Sequence, residues 1–229
     1  MKNKLYAKNV NPVLNLYNIN PNYYHTYLHV LDCNNKFNKY FFELDHEFDN
    51  LQKYVGFVDD LSLHKSFFND VFMWHDAVYI PGATNNEELS AKEYKKFCIK
   101  TTGNINYDVM EAIMMTKFGA DINNMTANAS FTIANVRFRF FCKIIHDIDW
   151  LGFANYEELV KNERKIINEA IAFTDYSRDE IKYKRLKFYE MIADSDIYLT
   201  ETFKKFNDIA KKNIQIRIKK LKKALNIKD

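Results

Sequence analysis

Apolar residues recur at three- and four-residue intervals along most of this chain, and little interrupts them: 229 residues contain only five glycines and three prolines. That spacing puts apolar side chains on one face of an α-helix, whereas a protein of many hairpins needs frequent turn residues. The pattern predicts an all-α fold, with helices at 22–34, 38–54, 63–80, 86–100, 105–118, 131–149, 154–174, 178–195 and 199–225. Turn formers mark the breaks: "NINPN" at 18–22, "IPGATNNEE" at 80–88, "TTGN" at 101–104 and "FGADINN" at 118–124.

With 47% hydrophobic residues the chain can bury a substantial core, and no break is long enough for an interdomain linker, so 1–229 is read as one helical domain. No apolar run reaches the roughly 18 residues needed to span a bilayer. Met1 to Leu14 lacks the apolar stretch of a secretory signal, so a soluble, cytoplasmic protein is expected. Cys33, Cys98 and Cys142 are odd in number and far apart, which predicts buried free thiols.

The net charge of +3 is unevenly spread. From Glu201 onward there are ten Lys or Arg against three acids, about +7, which leaves about −4 for the rest. A basic C-terminal helix within 201–229 is expected, packed on the bundle through Phe203, Phe206, Ile209, Ile214, Ile216, Leu221 and Leu225. Its basic face is the place for nucleic acid or another polyanion to bind, if either does.

Chemistry concentrates in three stretches. In "YHTYLHV", His25 and His29 stand four apart and would share one helical face. In "FMWHDAVYIPG", His75 and Asp76 adjoin inside the apolar run from Phe67 to Ile80, an expensive place for an acid unless it is paired or bound to a cation. In "FFCKIIHDIDWLGF", Asp147 and Asp149 enter another apolar helix pattern. His29, His75, Asp76 and one late Asp make a mixed nitrogen and oxygen set that suits a divalent ion, Mn²⁺ first, with Fe²⁺, Co²⁺, Ni²⁺, Zn²⁺ or Mg²⁺ as alternatives. His46 and His64 read as ordinary residues, and His146 as packing or support.

The successive motifs "YHTYLHV", "WHDAVYIPG", "NNEELSA", "HDIDWLG", "VKNE" and "DIYLT" resemble those of the HD-domain superfamily of metal-dependent phosphohydrolases, in particular one bacterial-type group of predicted HD phosphohydrolases. The likeness runs from about Tyr17 to the tail. It implies an HD-domain helical bundle whose metal is held by His29, His75, Asp76 and Asp147, with Asp149 as the alternative to Asp147. The first motif is also similar to that of cyclic-nucleotide phosphodiesterases, which implies His25 as a proton donor or phosphate contact. Glu87 falls where such proteins carry an acid that orients the attacking water or supports the site; a solvated first-turn glutamate is the alternative.

The implied activity is hydrolysis of a nucleotide or related small phosphoester by a metal-activated water. Two alternatives stay open: a catalytically reduced binding module for nucleotide, nucleic acid or a protein partner, and a phosphodiesterase on cyclic nucleotides or oligonucleotides that draws on Lys117, Arg137, Arg139 and the tail. The chain departs from the family pattern where Thr116 is followed by Lys117, Phe118 and Gly119 rather than by a nearby histidine. It departs again at Asn22 and Lys161, where the family carries arginines.

Overall fold

A computed structural model describes residues 12–18, 20–120, 122 and 133–227. Ten α-helices follow in order: α1 (Tyr27–Lys39), α2 (Phe41–Val55), α3 (Lys65–Trp74), α4 (Asn86–Thr101), α5 (Tyr107–Met115), α6 (Ile133–Trp150), α7 (Tyr156–Phe173), α8 (Arg178–Ile192), α9 (Glu201–Lys204) and α10 (Asn207–Ala224). Among the described residues there is no strand, only an isolated bridge between Asn18 and Thr26. The fold is all-α. No described helix is long and apolar enough to cross a membrane. Parts of the predicted turn at 118–124, the start of the predicted 131–149 helix and the last two residues of the tail lie outside the described residues.

Local chemistry explains where the helices stop and start. The amides of Asn20 and Asn22 donate to the side-chain oxygens of Asn18 and Asn20, two Asx turns that keep the chain out of a helix. Thr26 is then extended (φ −128°, ψ 165°) and its carbonyl accepts the His29 amide at 2.9 Å, so α1 opens at Tyr27. The predicted start at 22 is five residues too early, and His25 stands in the turn before the helix rather than on it. The predicted 63–80 helix likewise ends at Trp74, because the chain turns through His75 and Asp76. Gly56 closes α2 with φ +83°, a left-handed conformation that strains any residue with a Cβ, while its amide donates to Gln52 O.

One hydrophobic cluster runs from Val13 to Leu221. At its centre α1, α3 and α6 meet through aromatic rings: Phe37 lies 4.6 Å from Phe68, and Phe68 lies 5.1 Å from Phe141, centroid to centroid. Burying each such ring contributes roughly 1.5–3 kcal/mol. Cys33, Cys98 and Cys142 are buried free thiols, as expected.

The tail packs on the bundle through Phe203, Ile214, Ile218 and Leu221, all buried, although it breaks into α9 and α10 and leaves Ile209 facing solvent. Its firmest polar tie is Arg217 on α10, whose Nη2 and Nε donate to the Glu163 carboxylate of α7 at 2.5 and 3.2 Å.

Candidate metal centre

Three separate segments deliver imidazoles and carboxylates to one point. The turn before α1 and the helix itself bring His25 and His29, the end of α3 brings His75 and Asp76, and the last turn of α6 brings Asp149. His29 Nε2 lies 2.9 Å from Asp149 Oδ1 and 3.7 Å from Asp76 Oδ2. His75 Nε2 lies 3.0 Å from Asp76 Oδ2 and 4.0 Å from Asp149 Oδ1. Donors about 2.1 Å from a common ion are about 3.0 Å apart when adjacent in an octahedron and about 4.2 Å when opposite, so His29, His75 and Asp76 form a mutually close donor set that suits a cation, with Asp149 held beside it through His29.

The tautomer of His75 also fits. Its Nδ1 donates to the Phe72 carbonyl at 3.0 Å, which leaves the Nε2 lone pair directed at the carboxylates. That Nε2 is sealed from solvent and has no hydrogen-bond partner of acceptable geometry. An orphaned buried acceptor beside two acids is a position that a cation would satisfy.

The electrostatics agree. Burial opposes the charge of His75, yet the carboxylates of Asp76 and Asp149 raise its pKa to about 9. Burial likewise pushes both acids up, but His75, His25 and His29 hold Asp76 well below the usual carboxylate range, and His29 holds Asp149 down. The cluster favours positive charge between the acids.

Asp147 is elsewhere. Two residues along a helix are about 200° apart, so Asp147 and Asp149 face opposite sides of α6. The Asp147 carboxylate is fully buried and accepts four hydrogen bonds: from Leu199 N at 2.8 and 3.1 Å, Thr200 N at 2.8 Å and Thr200 Oγ1 at 2.7 Å. With Glu47, which accepts from the amides of Glu201 and Thr202, it satisfies the start of α9, where Thr200 makes no side-chain cap of its own. The place expected for Asp147 beside the histidines is held by Asp149.

Cys33 lies one turn beyond His29, with Sγ 3.8 Å from its Nε2, and so belongs to a second, overlapping donor set with His29 and Asp149. Burial and the nearby Asp149 push the thiol well above its ordinary pKa, which leaves it protonated and a poorer ligand than the oxygens.

His25 is positioned by a partner the sequence reading did not name. Its Nδ1 lies 2.6 Å from Oε2 of Glu169, a buried carboxylate of α7, and its ring stacks on Tyr79 with centroids 3.3 Å apart. Nε2 then faces the candidate centre, 3.9 Å from Asp76 Oδ2. The pair His25 and His29 therefore shares a site without sharing a helix. Glu87, half-buried in the first turn of α4, borders the same cavity of about 210 Å³ as His25, Asp76, Tyr79 and Asp149.

Lys117 is paired with Glu88 at 2.9 Å and Arg137 with Asp59 at 2.8 Å, so neither stands free as the cation of a groove. No protein-family model, no curated protein and no solved structure matches this chain.

Proposed function

We propose that the chain is a metal-dependent phosphohydrolase of the HD type, acting on a small phosphoester such as a nucleotide. The observation that carries this reading is the convergence of His29, His75, Asp76 and Asp149 from three segments, with His75 Nε2 buried and turned toward the carboxylates. Such a set would hold Mn²⁺ or a similar divalent ion, which when bound supplies Lewis acidity and a water of lowered pKa.

The protein's own groups do the rest. Glu169 accepts the Nδ1 proton of His25 and aims Nε2 at the cluster, where the ring can protonate a departing ester oxygen. Tyr79 fixes the plane of that ring. Glu87 lines the same cavity, and in this reading it orients the attacking water.

A groove for long polyanions has less support, because Lys117 and Arg137 are already paired. The test is the metal content of protein purified without chelator, followed by assay of Mn²⁺-supplemented protein against nucleoside mono-, di- and triphosphates, cyclic nucleotides and an aryl phosphate. Stoichiometric metal and turnover that vanish together in Asp76→Ala are expected. Undiminished turnover by metal-free protein would sink the reading.

A further inference from the structure

A half-buried arginine, its Nε sealed from solvent, faces the same cavity with little to hold it. Arg185 projects from α8 and lines the cavity that His25, Asp76 and Asp149 border. Arginine stays charged in any protein interior, so its five N–H donors need acceptors. Here Nη2 donates to Tyr189 Oη at 3.1 Å, and the guanidinium carbon lies 4.6 and 4.9 Å from the ring centroids of Phe188 and Tyr189. Nε is sealed from solvent and has no hydrogen-bond partner.

The acid best placed to neutralise it is already engaged. Glu163 gives both oxygens to Arg217. Among the described residues no carboxylate forms an ion pair with Arg185, and the groups that act on its charge most strongly are Tyr189, Glu163 and Tyr79. Two ring faces offset only part of the cost of an unpaired, half-buried cation. The same cavity is lined by Asp76 and Asp149, which would repel an anion until a divalent ion neutralises them. A ligand that satisfies both groups offers anionic oxygens to the guanidinium and meets a cation held by the acids.

From this we infer that Arg185 is the oxyanion anchor of the site, gripping phosphoryl oxygens of a ligand that enters the cavity it shares with Asp76 and Asp149. The assignment rests on the phosphohydrolase reading for the identity of that oxyanion. Arg185 meets a planar pair of oxygens with a fork of donors, which a lysine cannot reproduce.

The probe is inorganic phosphate, titrated calorimetrically into Mn²⁺-loaded full-length protein. Arg185→Gln is expected to weaken phosphate binding roughly 10- to 100-fold while metal content stays at the wild-type level. In the ester assay KM should rise more than kcat falls. Phosphate affinity within twofold of wild type in Arg185→Gln, or no phosphate binding by the wild type, overturns the inference.

Should Arg185→Gln fail to fold by circular dichroism, Arg185→Lys decides. It keeps the charge without the fork, so several-fold weaker binding supports the anchor and wild-type affinity overturns it. The two readings fail separately. Phosphate binding that depends on Arg185 in a protein that turns over no ester removes the hydrolase and leaves the anchor, whereas equal turnover and equal phosphate affinity in both proteins does the reverse.

Discussion

Glu169 Oε2 stands 2.6 Å from His25 Nδ1, across 144 residues of chain, and this contact decides which ring nitrogen faces the carboxylates of the candidate centre. An imidazole whose Nδ1 is held in this way has one orientation rather than two. Glu169→Gln should therefore lower kcat by roughly 10- to 100-fold while the bound metal and KM change little. His25→Gln should cost more, roughly 100-fold or beyond, because it removes the proposed proton donor itself. Steady-state kinetics with metal analysis on both variants checks the order; a Glu169→Gln enzyme at wild-type kcat would remove Glu169 from the machinery.

Asp147 and Asp149 should separate stability from metal binding. Asp149→Ala removes an oxygen 2.9 Å from His29 Nε2, and the expected result is lost metal and lost turnover in a protein that still unfolds cooperatively. Asp147→Ala strands the amides of Leu199 and Thr200 and the Thr200 hydroxyl at the start of α9. That should cost about 3 kcal/mol, a fall in Tm of roughly 6–12 °C for a chain of this size, with metal stoichiometry kept by the folded fraction. Metal loss in Asp147→Ala at an unchanged Tm would reverse the assignment.

What was legible in the sequence follows from what is local. The helices announce themselves through apolar spacing, and His29, His75 and Asp76 stand out as polar groups in apolar runs. Whether Asp147 or Asp149 faces the histidines was not legible, because both sit in the same apolar pattern and the deciding partners, Leu199 and Thr200, lie 52 and 53 residues further on. Glu169 gave no signal. The buried stripe of α7 runs through Leu159, Glu163 and Ile167 at four-residue spacing, and Glu169 lies about 200° from Ile167, on a face that reads as solvent until the His25 turn covers it. Arg185 was hidden in the basic run "KYKRLK", which reads as a solvated helix face although Leu186 and Tyr189 beside it are buried.

The pair Glu163 and Arg217 should be what fastens the basic tail to the bundle. Both side chains are largely buried, 5% and 12% exposed, and the contact is bidentate. Arg217→Met takes the bidentate partner from a buried carboxylate that then has Arg185 and Tyr189 near it, and should cost up to about 3–5 kcal/mol, whereas a compensated pair of apolar replacements should recover most of that loss. Urea denaturation of the single and double variants checks this. A loss below about 1 kcal/mol in Arg217→Met would mean that apolar packing by Phe203, Ile214, Ile218 and Leu221 is enough by itself.

His146 should make the protein less stable in mild acid. Its Nε2 donates to the Ile197 carbonyl at 3.0 Å and its ring stacks on Trp150 at 4.8 Å. Burial disfavours the charged ring and lowers its pKa, although the Ile197 carbonyl and Asp149 pull the other way. The unfolded chain, with an ordinary histidine titrating near about 6.5, binds a proton there at a pH where the folded protein still resists it. The contribution of His146 is thus complete above that pH and declines as pH falls from about 7 toward the folded-state value. His146→Gln keeps a donor for Ile197 and cannot titrate, so the stability of the wild type relative to this variant should fall between pH 7 and pH 5. Urea midpoints at several pH values measure the difference; one that stays flat or grows on acidification would mean that this ring is not held neutral by its burial.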